Sequence, residues 1–212
     1  NGKVLALSLL DGAKLWEATA SPPHGRTELE RLVDIDSAVH VSGDDVFAVG
    51  FQGRTVMLAR ESGQIWWSKE LSSYRGLDVS DDSVVIATAG GELVLLNRRT
   101  GVELWRNATL AWRVPSPPTF VGDYIAVIDL DGVLHWFDRS SGVAVARDKL
   151  GDAVSTAPFS VDGVLLVLTV KGRIAAFSPG ARTARAAPPA PAAAPAAAPA
   201  AAPEPAAAPT PP

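Results

Sequence analysis

The residues able to do chemistry in this 212-residue chain are few and mostly acidic. Asp34 and Asp36 form a D-x-D pair, Asp44–Asp45 and Asp81–Asp82 are two further pairs, and His24, His40 and His135 are the three imidazoles. Paired carboxylates can hold a divalent cation or act as acid and base. The 44–45 and 81–82 pairs fall where hairpin turns are expected, which is ordinary turn chemistry without convergent ligands. No histidine has a second His at ligand spacing, and with no Cys in the chain, thiolate metal sites, disulfides and Cys nucleophiles are excluded within it. Ser and Thr are scattered, with no G-x-S-x-G elbow and no Ser–His–Asp context. These residues assign no catalytic, cofactor-binding or metal-binding position, and the chain reads as no enzyme.

The elements that must position these residues occupy only part of the chain. Residues 1–178 hold every aromatic and all the Val, Leu and Ile, whereas 179–212 is almost entirely Ala and Pro. A stretch with no side chain larger than Ala to bury makes no core, and its frequent prolines favour extended, polyproline-like chain. Residues 179–212 are therefore expected to be a disordered tail or semi-rigid linker. The formal charge is −4, and because Arg182, Arg185 and Glu204 of the tail sum to +1, the body carries −5. It has no basic cluster, which argues against nucleic-acid binding. No long apolar run appears, and the start at Asn1, without initiator Met or signal pattern, leads us to expect further sequence upstream.

Within the body a unit recurs. First glycines stand at Gly2, Gly53, Gly91, Gly132 and Gly172, spaced by 51, 38, 41 and 40 residues. Ten residues after the first four come Gly12, Gly63, Gly101 and Gly142, and four residues further on come Trp16, Trp67 and Trp105, with Ala146 in the fourth copy. Apolar runs on each side of these turns read as short strands, and a second hairpin turn is expected near Asp44, Asp82, Asp123 and Gly163. Four strands per unit at a period near forty residues is propeller spacing. The expected fold is all-β: a β-propeller of four-stranded antiparallel blades. Three blades are complete, preceded by the last pair of one and followed by three strands of another. The tryptophans are expected to pack between blades, and the large apolar residue five past each first glycine (Leu7, Leu58, Leu96, Phe137, Phe177) to face a core. Trp112 and Trp136 lie outside the repeat offset and are open to either packing or partner contact.

The spacing before Gly53 is about ten residues too long, and the excess lies in ASPPHGRTELERLVDID. Thr27 and Glu30 fit a capping box, so residues 28–33 are expected to form a short helical turn that projects Glu28 and Arg31 and leads into Asp34 and Asp36.

The G-x9-G-x3-W pattern, with Thr100 before Gly101, resembles the tryptophan-docking repeat of quinoprotein-like propellers rather than WD40 blades. The runs GRTELERLVDIDSAV at 25–39, SGQIWWSKEL at 62–71 and GVLHWFDRSSGVAVA at 132–146 are together similar to the BamB family of outer-membrane assembly lipoproteins. Over residues 1–177 the resemblance implies the C-terminal half of an eight-bladed ring. It further implies a noncatalytic scaffold, without cofactor, that binds the periplasmic POTRA domains of BamA, with unfolded outer-membrane proteins as a second class of partner. The location implied is the periplasmic face of the cell outer membrane, reached through an N-terminal lipid anchor that is not in this chain. The resemblance places Asp34 and Asp36 on the contact surface with Arg31 and Glu28 beside them; a solvated local charge cluster is the alternative for these four. Two other functions fit a propeller: a ligand-binding or sensor module joined through the Pro/Ala tail, and a fragment of a quinone-dependent dehydrogenase, which requires acidic, amide and cationic residues converging on the channel.

Overall fold

The computed structural model describes residues 2–22, 35, 37–154 and 156–179. They form seventeen strands in five antiparallel sheets, each a meander in sequence order. Blade 1 is the pair β1 (Lys3–Leu7) and β2 (Lys14–Thr19). Blade 2 comprises β3 (His40–Ser42), β4 (Asp45–Val49), β5 (Thr55–Ala59) and β6 (Ile65–Lys69). Blade 3 comprises β7 (Gly76–Val79), β8 (Ser83–Ala87), β9 (Leu93–Asn97) and β10 (Glu103–Asn107). Blade 4 comprises β11 (Thr119–Val121), β12 (Tyr124–Ile128), β13 (Val133–Asp138) and β14 (Ala144–Lys149). Blade 5 is β15 (Phe159–Val161), β16 (Val164–Leu168) and β17 (Ile174–Phe177). The count of two, four, four, four and three strands is the one the glycine spacing predicts.

The middle strands of each complete blade are apolar on both faces because both faces are buried. In β8, Val84 and Ile86 point into a core shared with Phe47, Val49 and Met57 of blade 2, while Val85 and Ala87 join Ile125, Val127 and Phe137 of blade 4. The same alternation builds a core between blades 1 and 2 around Val4, Ala18, Val46 and Leu58, and one between blades 4 and 5 around Ile128, Leu134, Leu165 and Val167. First strands of neighbouring blades touch, β3 with β7, β7 with β11 and β11 with β15, which makes them the innermost. Fourth strands lie at the rim and expose Leu15, Trp66, Leu104 and Val145.

Leu7 departs from the expectation that its position faces a core: it is 58% exposed, whereas Leu58, Leu96 and Phe137 are buried. Those three residues point toward the preceding blade, and among the described residues no sheet covers that side of blade 1.

Each tryptophan sits beside a register shift between the third and fourth strands: Trp16 opposite Ala6, Trp67 opposite Met57, Trp105 opposite Leu95. A bulge there re-aims the ring out of its own ladder. The rings lie between sheets, under the turn glycine of the next blade. Added Cβ atoms at Gly63, Gly101 and Gly142 would sit 2.5, 2.8 and 2.6 Å from Trp16, Trp67 and Trp105, whereas Gly12 faces open space. Each indole N–H also donates across the seam to an arginine carbonyl: Trp16 to Arg60 at 2.7 Å, Trp67 to Arg98 at 2.8 Å and Trp105 to Arg139 at 2.8 Å.

Two of these arginines return the contact. The Arg98 guanidinium donates to Ser42 O and Asp45 Oδ2 of blade 2, both at 2.8 Å, and Arg139 reaches Asp82, Ser80 and Ser83 of blade 3. Each of these seams is thus closed from both sides by one residue pair. Arg60, facing the two-stranded blade 1, pairs instead with Asp44 of its own blade at 3.0 Å. Arg98→Ala is therefore expected to lower the free energy of unfolding by about 2–3 kcal/mol, because charge-assisted bonds to a partly buried carboxylate are lost. Arg60→Ala, which breaks an exposed pair, is expected to change it by no more than about 0.5 kcal/mol. Equal effects in urea melts of the two variants would contradict the two-sided seam.

Blade 4 has Ala146 at the repeat position, and its ring comes from across the ladder. Trp136 pairs with Ala146 and points into the blade 4–5 core, 4% exposed. Partner contact is thereby excluded for Trp136; a β13 residue opposite a missing indole has the same seam to fill. Its N–H donates to Asp148 of its own blade at 3.1 Å, so no indole bond crosses this seam.

Candidate partner-binding surface

Two sets of loops define the two faces. On one, the connections β4–β5, β8–β9, β12–β13 and β16–β17 meet the connections between blades. Adjacent loops are tied by backbone bonds: Ala89 N to Ser72 O, Leu130 N to Arg113 O and Val170 N to Ala153 O. The predicted contact residues fall in the sequence between β2 and β3, as 70–75 falls between β6 and β7. Glu28, Arg31, Asp34 and Asp36, with the predicted turn at 28–33, lie outside the described residues. The flanking positions are described: Ile35 packs against the core between blades 1 and 2, and the Ser37 hydroxyl donates to Val49 O at 2.9 Å.

The same face carries exposed apolar side chains at its loop tips. Phe51 and Tyr74 meet edge to face at 5.8 Å, with the Arg75 guanidinium 4.7 Å from the Tyr74 ring. Leu130 and Val170 are 65% and 57% exposed, and Trp112, in the β10–β11 connection, is 90% exposed. Sequence reasoning left Trp112 open between packing and exposure.

Beneath Trp112 lies an ionic cluster that residue spacing alone did not assemble. Asp129 is fully buried; its Oδ2 meets His135 Nε2 at 2.9 Å and Arg113 Nε at 3.0 Å, and its Oδ1 accepts from the N–H groups of Asp131 and Val133. Burial works to raise the Asp129 pKa. The hydrogen bonds from His135 and the Val133 amide, and the charges of His135 and Arg113, outweigh it and hold the carboxyl below its ordinary range. An Asp–His pair could activate a nucleophile through the free imidazole nitrogen. Here that nitrogen, Nδ1, is buried without a hydrogen-bond partner, and the ring stacks on Phe137 at 6.5 Å, so the pair is closed to a substrate. One signal in the sequence pointed to it: a histidine inside the apolar run VLHWF must find a buried partner.

The innermost strands bring together His40 and Asp78, 3.8 Å apart, and Asp78 also accepts from the Phe120 amide. Among the described residues no group of three or more His, Asp or Glu is placed to hold a metal ion. On the opposite face, open clefts of about 890 and 390 Å³ run between blades 2 and 3 and blades 3 and 4. Arg98 and Arg139, which line them, are already engaged across the seams, and Asp82 is held below its ordinary pKa by the Ser83 hydroxyl, with Arg139 adding to the effect.

Known proteins resemble this chain in sequence and in fold. The family described as "Outer membrane protein assembly factor BamB" matches residues 1–107 and again 89–206. Relatives of that name from Xanthomonas campestris and Pseudomonas aeruginosa are 38% and 34% identical over 83% and 84% of this chain, and it covers 44% and 47% of theirs. The crystal structure of BamB from Moraxella catarrhalis superposes with a TM-score of 0.77 at 29% identity, over 84% of this chain and 53% of that one. The chain thus spans about half the length of the curated relatives it matches. Matched by the family's model along most of its length, and 38% and 34% identical to these relatives over more than four fifths of it, the chain belongs to the BamB family.

Proposed function

We propose that this chain forms part of a noncatalytic scaffold in the machinery that assembles β-barrel proteins in the outer membrane. The observation that carries this reading is the family itself, whose members are named as outer membrane protein assembly factors. The fold supports it, because the buried ionic groups hold blades and loops in place and the Asp–His pair is sealed. In this reading the scaffold sits at the periplasmic face of the outer membrane, held by a lipid anchor on the full-length protein. It binds the periplasmic POTRA domains of BamA through Asp34 and Asp36, with Arg31 and Glu28 beside them. Residues 179–212 act as a spacer beyond the propeller.

Asp34→Arg combined with Asp36→Arg tests the contact. In the natural full-length protein this pair is expected to abolish co-purification with BamA while leaving the melting temperature unchanged. Undiminished recovery of BamA would remove these residues from the interface.

A further inference from the structure

We infer that Trp112 is a second docking point, a fixed projecting indole that enters an apolar pocket of a folded partner protein. The inference rests on the scaffold reading above and names a contact separate from Asp34 and Asp36.

The indole does no work in the fold. It is 90% exposed, and its N–H has no bond to any described residue. Yet its backbone is held in a costly conformation: φ is +66° at Trp112 and +51° at Val114, a region L-residues rarely adopt and that persists only where surroundings enforce it. The enforcement is visible. Leu110 is buried in the blade 3–4 core, and Trp112 N–H donates to Gly90 O at 3.2 Å. Arg113 is held through its guanidinium by Asp129 and Asp131, its amide bonds Leu110 O, and its carbonyl accepts from Leu130. Gly91 must be glycine for the loop to lie this close, since a Cβ there would fall 2.5 Å from Leu110 O. A buried ionic cluster thus braces a loop that holds an exposed tryptophan outward, with exposed Leu130 on the adjoining loop.

Rigidity decides what it binds. Surfaces that accept many unfolded segments are adaptable and often rich in Met. This chain has one Met, Met57, which is buried in the blade 2–3 core. A pre-ordered aromatic loses little freedom on binding and gains most in a preformed pocket, where a hydrogen-bond acceptor takes its N–H. The occupant is therefore a folded protein domain with a concave apolar pocket, which in the scaffold reading is a periplasmic domain of the assembly machinery. Arg113 is a positioning residue, acting only through Trp112.

The test uses the natural full-length protein titrated with the purified POTRA domains of BamA from the same organism, with a urea-denatured porin diluted into buffer as a second probe. Trp112→Gly suits the positive φ, so its melting temperature is expected to equal or exceed that of the wild type while POTRA affinity falls at least about tenfold. Arg113→Gln is expected to weaken binding as well, but to add nothing in the Trp112→Gly background. Wild-type binding that Trp112→Gly leaves unchanged overturns the inference alone, and absence of wild-type binding overturns it together with the BamA reading. A fall in melting temperature, or a loss confined to the porin probe, also overturns it, by giving Trp112 a packing role or an unfolded partner.

Discussion

Trp67→Ala is expected to destabilise the protein by about 3–5 kcal/mol, the range for removing a large aromatic from a packed interior. The residue is 9% exposed, and its ring fills the core between blades 2 and 3, with Phe47 at 6.2 Å. Removing it takes away the cross-seam bond to Arg98 O, whose guanidinium forms the return contact to Asp45. The two halves of the seam share one residue, so loosening one loosens the other. Trp66→Ala is the matched control: the neighbouring side chain is 59% exposed at the rim and is expected to matter by no more than about 0.5 kcal/mol. Gly101→Ala attacks the same seam from the opposite sheet. Its φ of +64° disfavours any side chain, and its Cβ would stand 2.8 Å from the Trp67 ring. Because both changes empty or crowd one space, the double variant is expected to cost less than the two costs combined. Urea denaturation of the four variants decides the matter; full additivity would mean that glycine and ring do not share a seam.

The second large effect is expected at Asp129. Truncation to Ala leaves His135 Nε2, the Arg113 guanidinium and two backbone amides short of their shared acceptor, and the cost is expected to be about 3–5 kcal/mol. Asp129→Asn keeps the shape but loses the charge, and its pH dependence carries the sharper test. The carboxyl is held below its ordinary range in the fold, so as pH falls the unfolded chain takes up the proton first. The charge's contribution is therefore present in full above the unfolded value, about 4. It declines as pH drops from there through the lower folded value. The stability gap between wild type and Asp129→Asn is expected to narrow as pH falls below about 4. A gap that does not change with pH would show that the fold leaves the Asp129 carboxyl at its unfolded value.

Much of the blade arithmetic was legible in the residues because each blade announces itself twice, by a glycine where the chain must turn and by middle strands apolar on both faces. Helix was no competitor there, since SVVIA and ELVLLN are bounded by turn residues and too short for helices. What the repeat could not convey was which side of a strand has a neighbour. Leu7 and Leu58 occupy the same repeat position, and only the sheets on either side make one exposed and the other buried. The Asp129 cluster was partly hidden for another reason. His135 stood out as a polar residue in an apolar run, but Arg113 reaches the cluster from a loop sixteen residues before Asp129, and loop paths carry no periodicity. The arginine returns across the seams were missed for the same reason, since Arg98 and Asp45 are 53 residues apart.

The placement of Trp136 opposite Ala146 ties two positions of the repeat to each other. Blade 4 carries its seam indole on the third strand rather than the fourth, with the small residue opposite it. A Trp restored at 146 while 136 kept its own would force two rings into room for one, and Ala at both would leave a void. Neither substitution is neutral until the other has occurred. The two positions therefore behave as a single choice, one ring and one small residue, that the packing between blades 4 and 5 enforces.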